Sequence, residues 1–218
     1  MSDNIETCIW RIERQLDMLA PDTPTPTRLP PEIMTQGLAD ANRSVAPLIG
    51  RGGRPIDMMI SWEGALLLYY LARALRHVGE LRLATRVFLV NKALHGIDLF
   101  PDIEMPAHFL IGHTVGMVFA KADYGEWCIF HQGCTVGRLL DARPTLANGV
   151  VMYPNSSIIG RCNVGPNTVL SAGVQLINTD TPGDCIVFAG ESGRPVFKPI
   201  TEIFAHRYYE AAATGLAK

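Results

Sequence analysis

Three histidines near the middle of the chain offer the side chains best suited to chemistry. His108 and His113 are five positions apart, and His131 follows eighteen positions after His113. An imidazole titrates near neutral pH, so it can remove a proton from a reacting group or, when neutral, bind a metal ion. If the chain repeats its path every eighteen residues, His113 and His131 stack, and with His108 they define a candidate zinc site.

The five cysteines predict neither a disulfide framework nor a metal site. Their number is odd, they are scattered along the chain, and no two of them form a C-x-x-C pair. This usage is typical of a protein from a reducing cytoplasm. We expect the cysteines to fill core positions rather than to act as nucleophiles.

The composition excludes several classes of protein. Of the 218 residues, 48% are hydrophobic and 18% are charged, and the formal net charge is -2. These values disfavour intrinsic disorder and electrostatic binding to nucleic acid. The first six residues include two acidic ones and no basic one, unlike the start of a signal peptide, and charges interrupt the most apolar stretch, 60–90, too often for a membrane span. We therefore expect a soluble, cytoplasmic protein that binds no membrane.

The first part of the chain, residues 1–95, is predicted to form an α-helical domain. Apolar side chains recur there at helical spacing in four segments that proline and glycine separate. The segments are 5–19, 31 to about 48, 62–77 and 81–94. The third segment is apolar almost all round, which predicts a buried helix.

From residue 96 onward the pattern has a period of six. Aliphatic or methionine side chains recur at every sixth position, namely Leu146, Met152, Ile158, Val164, Leu170 and Leu176. A period of six suits a coil that turns a corner after each short flat face, and it suits neither a helix nor a hairpin sheet. We therefore predict an α+β fold, with a parallel β-helix over 96–200. Because a solenoid needs covered ends, the helical domain caps one end, and the tail, 201–218, forms a short helix on the other.

Four motifs in this second part resemble the serine acetyltransferase family. Residues 97–101 (Ile-Asp-Leu-Phe-Pro) and 113–116 (His-Thr-Val-Gly) are similar to its Ile-Asp-x-x-Pro and His-x-x-Gly motifs. Residues 132–137 (Gln-Gly-Cys-Thr-Val-Gly) and the closing stretch 189–199 also follow its pattern. The resemblance covers residues 62–199 and implies a left-handed β-helix.

The same resemblance implies an acetyl-CoA-dependent O-acetyltransferase with His113 and Asp98 as its catalytic pair. A neutral hydroxyl attacks a thioester poorly, so an imidazole must remove its proton as the new bond forms. A carboxylate on the other ring nitrogen fixes the tautomer and stabilises the imidazolium. His113 is thus the expected base and Asp98 its orienting partner, with direct transfer and no covalent enzyme intermediate.

Acetyl-CoA is implied to lie in a groove that neighbouring subunits share, which predicts a homotrimer or a hexamer. The expected pantetheine contacts are Gly137, Tyr153, Pro154, Ser171 and Ala172. Arg194 and Lys198 are expected near the phosphates, since the cofactor is anionic. No metal is expected, because His113 already has a partner in Asp98.

The acceptor side departs from the family pattern at three places. Gly112 stands where the family has an Asp that helps to hold the amino group of serine. Residues 141–144 read Asp-Ala-Arg-Pro against Asp-Arg-His-Pro, and 52–57 replace an acidic segment. Each lost charged contact to an ammonium group costs about 1.5–3 kcal/mol, so we expect an acceptor other than L-serine. The candidate acceptor-binding residues are Arg143, His131, Gly112 and Asp57.

Three other functions stay open at this point. An authentic serine acetyltransferase of cysteine biosynthesis is the nearest. A zinc-dependent hydratase like the β-helical carbonic anhydrases uses the three histidines, and a non-catalytic scaffold uses none of them. The family's C-terminal isoleucine, which docks into the cysteine-forming sulfhydrylase, is absent from the end of this sequence, so we expect no such complex.

Overall fold

Four α-helices form the N-terminal part of the computed structural model, which describes residues 4–216 and leaves 1–3 and 217–218 outside it. The helices are α1 (Ile5–Leu19), α2 (Pro31–Val45), α3 (Ser61–His77) and α4 (Leu81–His95). The side chain of Asn4 caps α1 by accepting from the Thr7 N–H at 2.8 Å. Gly96 ends α4 in the left-handed conformation. These bounds confirm the predicted helices, although α2 ends at Val45 instead of about Leu48.

Helix α3 lies at the centre of the helical domain, between α2 and α4. Its buried leucines lie on every side of the helix, as the apolar sequence predicts: Leu66, Leu67, Leu68, Leu71 and Leu75. No helix of the described residues combines the length and the apolar character needed to cross a membrane.

A buried ion-pair cluster fastens the loop that precedes α3. The carboxylate of Glu63, which is fully buried, accepts hydrogen bonds from Arg51, from Arg54 and from the backbone N–H of Asp57 at 2.8 Å. Burial alone would raise the pKa of Glu63, but the hydrogen bonds from the two arginines outweigh it and hold the pKa below its ordinary value. These ion pairs and the backbone hydrogen bond therefore hold the loop over 51–57 against α3.

Short strands then wind into a coil with three faces. The strands are β1 (Ile97–Leu99), β2 (Phe109–Gly112), β3 (Met117–Phe119), β4 (Asp123–Tyr124), β5 (Cys128–His131), β6 (Thr135–Gly137), β7 (Thr145–Leu146), β8 (Val151–Met152), β9 (Ser157–Ile159), β10 (Asn163–Val164), β11 (Thr168–Leu170), β12 (Gln175–Ile177), β13 (Cys185–Ala189) and β14 (Pro195–Pro199). Face 1 contains β1, β3, β6, β9 and β12, face 2 contains β4, β7 and β10, and face 3 contains β2, β5, β8, β11 and β13. From β3 to β12 the chain visits faces 1, 2 and 3 in turn. Neighbouring strands within each face pair in parallel, while β14 pairs antiparallel with β13. This is the predicted parallel β-helix.

The six-residue repeat forms the core of the coil. Each of the predicted inward side chains is at most 2% exposed: Leu146, Met152, Ile158, Val164, Leu170 and Leu176. The residues four positions after them are buried as well: Val150, Ser156, Cys162, Thr168 and Val174. Equivalent side chains of successive coils stack on each of the three faces. Together they form one continuous core inside the coil.

The cysteines fill the core, as predicted. All five are free and buried. Burial raises the pKa of Cys128 to about 12, and burial also raises the pKa values of Cys134 and Cys185. These three thiols are therefore protonated at neutral pH and are poor nucleophiles.

The C-terminal segment packs against the side of the β-helix, whereas the sequence predicted that it covers the end. It forms a 3-10 turn (Phe204–Arg207) and a one-turn helix, α5 (Ala211–Thr214). Phe204 and Tyr209 pack on the outward side chains of face 3, which include Ile129 and Val169. These outward positions are apolar, so covering them removes apolar surface from water.

Candidate active site

The corner where face 3 passes into face 1 brings several predicted site residues together. Gly112, at the end of β2, is the register partner of His131. Phe130 is the register partner of Met152, so the following Tyr153 lies beside His131. The same register continues through β11 and β13. We call the resulting row the outer ladder: Gly112, His131, Tyr153, Ser171 and Phe188.

His131 is the second member of the outer ladder, between Gly112 and Tyr153. Its ring lies parallel to that of Tyr153, with centroids 5.2 Å apart and an interplanar angle of 1°. A Cβ added to Gly112 would lie 3.6 Å from the Nδ1 atom of His131, in ordinary van der Waals contact. Partial burial lowers the pKa of His131, and the nearby His113 lowers it further. The ring is therefore neutral at neutral pH.

His113 lies directly after β2, in the turn that leads from face 3 to face 1. It is exposed and has a φ of 55°, in the left-handed region. The turn is held against the start of β1, because Thr114 Oγ1 donates to the His95 carbonyl at 2.6 Å and the Gly116 N–H donates to the Gly96 carbonyl at 2.9 Å. His113 thus presents an accessible imidazole beside the outer ladder.

Asp98 lies in β1, on the face 1 side of the same corner. Its Oδ2 atom accepts a hydrogen bond from Lys92 Nζ at 2.6 Å. No hydrogen bond joins it to His113 among the described residues. The direct contact that the sequence predicts for this pair is therefore absent in the single chain, where Asp98 pairs with Lys92 at the end of α4.

The predicted stacking of His113 on His131 is wrong by one residue. The coil that separates β2 from β5 has nineteen residues, so His131 stacks on Gly112. His108 lies apart, stacked on Trp127 with 4.4 Å between ring centroids and paired with Glu126 at 3.3 Å. Within residues 4–216, no group of three His, Cys, Asp or Glu side chains is placed to hold a metal ion.

Two other predicted acceptor residues lie away from the ladder. Asp57 accepts a hydrogen bond from the Met59 N–H at 2.9 Å, so its carboxylate supports the turn before α3. Arg143 is exposed in the loop between β6 and β7, at the corner of faces 1 and 2. The structure of one chain brings neither of them to His113.

The predicted cofactor residues mostly follow the outer ladder. Tyr153 and Ser171 belong to it, and Pro154 and Ala172 come next along the two coils, with the Gly173 N–H donating to the Pro154 carbonyl at 2.9 Å. Ala172 is exposed, which leaves the backbone there open to a ligand.

The two predicted cations lie at the far end of this row. Lys198 Nζ lies 4.8 Å from the centroid of the Phe188 ring, the last member of the ladder. Arg194 is exposed where β14 begins, and its carbonyl accepts from the Gly190 N–H. Gly137 lies on face 1, at the end of β6. The cationic end and the histidine end of the corner are thus separated by the coils of Tyr153 and Ser171.

One residue of this site was not predicted from the sequence. The hydroxyl of Tyr208, in the C-terminal segment, lies 3.2 Å from Nε2 of His131. Nothing in the repeat pattern points to it, since it lies outside the coils. The adjacent aromatic pair Tyr208 and Tyr209 in an otherwise short tail was the one available signal that this segment packs on the coil.

The architecture is that of the hexapeptide-repeat β-helices: parallel coils, a helical domain at one end and an accessible histidine at a coil corner. No protein-family model matches the chain. The serine acetyltransferase of Synechococcus elongatus is 30% identical over 114 residues, which are 50% of this chain and 46% of that protein. The chain spans about half the length of the curated relatives it matches, and these are described as serine acetyltransferases.

Solved structures give the same resemblance. Neisseria gonorrhoeae serine acetyltransferase in complex with serine has a TM-score of 0.65 at 20% identity, covering 85% of this chain and 81% of that chain. A serine acetyltransferase in complex with CoA has a TM-score of 0.64 at 18% identity, covering 89% and 86%. The chain therefore resembles serine acetyltransferases in sequence and shares their left-handed β-helix fold.

Proposed function

We propose that this protein is an acetyl-CoA-dependent O-acetyltransferase that acts on a small hydroxyl acceptor at the corner of faces 3 and 1. The observation that carries the proposal is the outer ladder. It sets His131 near one end of a single row, with His113 directly after Gly112, and it ends at Phe188, against which Lys198 lies. The relatives described as serine acetyltransferases, and a fold neighbour solved with CoA, support the same reaction.

In the proposed reaction, His113 acts as the general base. Its imidazole takes the proton of the acceptor hydroxyl while the oxygen attacks the thioester carbonyl. The carbon–sulfur bond then breaks, the acetyl group stays on the acceptor oxygen, and the imidazolium returns its proton to the departing CoA sulfur. The exposure of His113 in the single chain gives both substrates access to it.

In this proposal acetyl-CoA binds along the row from Tyr153 to Lys198. Pantetheine is neutral and slender, and the exposed Ala172 allows it to approach the backbone. The phosphates are anionic, and Arg194 and Lys198 supply exposed positive charge at the end of the row.

Asp98 is proposed to orient His113 once it is released from Lys92. The two residues flank the same corner, with Asp98 in β1 and His113 directly after β2. Lys92 has 53% of its side chain exposed, so water and salt weaken its ion pair with Asp98.

The identity of the acceptor rests on opposing observations. The names of the relatives favour L-serine. Gly112, in contrast, leaves a space beside His131 with no carboxylate to bind an ammonium group, which favours a hydroxyl compound without one. We therefore propose two candidate acceptors, L-serine and a hydroxyl compound without an amino group, whose rates of acetylation are to be compared directly.

A homotrimer with the groove between subunits is part of this proposal. Val115, two residues after His113, is 70% exposed. Apolar side chains this exposed next to a candidate site are typical of a surface that another subunit covers. Analytical ultracentrifugation of the full chain tests this, and a monomer contradicts it.

The experiment that tests the function measures CoA release from acetyl-CoA by the purified protein. L-serine, homoserine, hydroxy acids without an amino group, sugars and amino sugars are the acceptors, and mass spectrometry identifies the acetylated product. His113→Ala is expected to lower turnover by about 100-fold or more. His77→Ala, which removes an exposed histidine at the end of α3, is the matched control and leaves turnover unchanged.

Two results contradict the proposal. One is that no acceptor in the panel is acetylated by the wild-type protein. The other is that turnover persists in His113→Ala, which assigns the base to a different group.

A further inference from the structure

Tyr208 is held in place from two sides. Its carbonyl accepts a hydrogen bond from the Ile49 N–H at 2.9 Å, and the next residue, Tyr209, forms a β-bridge with Leu48. Upstream, the side chain of Asn167 at the face 3 corner donates to the Glu202 carbonyl and accepts from the Phe204 N–H. The C-terminal segment therefore links the helical domain to the coil, with Tyr208 at the junction.

The hydroxyl of Tyr208 is aimed at the acceptor side of the candidate site. It lies 3.2 Å from His131 Nε2, and the centroids of the two rings are 6.0 Å apart. Tyr208 is half-buried, and burial together with a hydrogen bond to Tyr153 raises its pKa to about 12. The hydroxyl therefore stays protonated at neutral pH and meets a neutral imidazole.

Two contacts leave His131 a single orientation. Its flat face rests on Tyr153, and Nε2 is occupied by Tyr208. The ring edge that carries Nδ1 and Cε1 faces the side-chain position of Gly112, where a Cβ would lie 3.6 Å from Nδ1. One nitrogen of the ring is thus used for positioning, and the other lies beside Gly112, which has no side chain and precedes His113.

We infer that Tyr208 is a positioning residue of the acceptor pocket: it fixes the His131 ring on Tyr153 so that Nδ1 meets a hydrogen-bonding group of the acceptor other than the reacting hydroxyl. This rests on the proposed function. It assigns the C-terminal segment a role in acceptor binding, in addition to covering face 3. It also predicts that acceptors carry a second polar group near the hydroxyl.

The kinetic test compares Tyr208→Phe with Tyr209→Phe. Both variants remove one hydroxyl from neighbouring residues and keep the ring. Among residues 4–216 the buried Tyr209 hydroxyl has no hydrogen-bond partner, so its loss is expected to leave the site intact. Tyr208→Phe is expected to raise KM for the best acceptor of the panel by roughly 3- to 10-fold, the size of one hydrogen bond. KM for acetyl-CoA is expected to rise less than KM for the acceptor, because Tyr208 contacts His131 directly and, among the proposed donor-binding residues, only Tyr153.

A second measurement does not depend on catalysis. Imidazole ¹⁵N spectra of the histidine-labelled full chain report the hydrogen bonding of His131, whose signals are assigned with His131→Gln. Tyr208→Phe is expected to shift the Nε2 signal of His131 and to leave that of His77 in place. Tyr209→Phe is expected to shift neither.

The two measurements separate failure of the inference from failure of the function. If wild-type protein acetylates no acceptor, the proposed function fails, and the ¹⁵N spectra alone decide whether Tyr208 positions His131. Unchanged His131 signals in Tyr208→Phe overturn the inference whatever the activity. An equal rise of acceptor KM in both tyrosine variants also overturns it, because it shows a general effect of the segment.

Discussion

Lys92 Nζ lies 2.6 Å from Oδ2 of Asp98, across the junction between the last helix of the N-terminal domain and the first strand of the coil. This ion pair occupies the carboxylate that the proposed chemistry needs for His113. Because the lysine side chain is about half exposed, the pair is weak and can exchange partners. The helical domain thus sets the resting position of a predicted active-site carboxylate.

We predict that Asp98→Asn lowers kcat by about 100-fold, since an amide neither stabilises the imidazolium nor fixes the tautomer. Lys92→Met removes the competing cation and is expected to keep kcat within about threefold of the wild-type value. Steady-state CoA release measures both. If Lys92→Met loses as much activity as Asp98→Asn, the ion pair itself matters, and Asp98 has no separate role at His113.

A second prediction concerns acceptor choice at Gly112. Gly112→Asp adds a carboxylate in a space that already accepts a Cβ, and it is expected to shift kcat/KM towards amino-bearing acceptors. The ratio of L-serine to a hydroxy acid without an amino group should rise roughly 10-fold, as one charge-assisted contact would give. Gly112→Ala adds the Cβ alone and is the control. An equal ratio in the two variants shows that residue 112 does not touch the acceptor's amino group.

The third prediction concerns the pH dependence of stability, which we expect Glu63 to influence. Its pKa is lower in the folded chain than its ordinary value of 4.5, so it stabilises the fold above that pH and loses this contribution as the pH falls through the lower, folded value. Glu63→Gln should cost about 3–5 kcal/mol at neutral pH, the cost of breaking a buried ion pair, with a smaller cost in acid.

Thermal unfolding at pH 7 and at several values below 4.5 measures this cost. Glu104→Gln, at an exposed position, is the control and should leave the unfolding temperature unchanged at every pH. A cost for Glu63→Gln that stays constant down to low pH contradicts the assigned pKa direction.

Neighbouring residues in β12 test the repeat itself. Leu176 is fully buried in the coil, whereas Ile177 is 50% exposed. Leu176→Ala is expected to cost about 2–5 kcal/mol in the free energy of unfolding, because it removes buried methyl groups and leaves a cavity. Ile177→Ala should lower the free energy of unfolding by less than about 1 kcal/mol, because its side chain is already half exposed. Denaturant unfolding gives both free energies. Equal losses of stability in the two variants contradict the assignment of Leu176 to the core and of Ile177 to the surface.

Local patterns were enough to predict the main elements. The helices follow from apolar spacing and from proline and glycine breaks, and the core column follows from a period of six that recurs without interruption from Leu146 to Leu176. The resemblance to serine acetyltransferases added the handedness of the coil and the candidate pair at 98 and 113. Each of these depends on residues close together in the sequence, where side-chain periodicity decides which positions are buried.

The tertiary structure alone decided which side chains meet. The coil between β2 and β5 has one residue more than the repeat suggests, which places His131 on Gly112. Lys92 forms the ion pair with Asp98, and the Tyr208 hydroxyl contacts His131, which lies seventy-seven positions earlier in the sequence. Contacts between distant segments depend on coil length and on how exposed apolar faces are covered, and a one-residue change in register redirects a side chain. The sequence by itself thus determined the coil and its candidate histidine, while packing of the helical domain and the C-terminal segment determined the surroundings of that histidine.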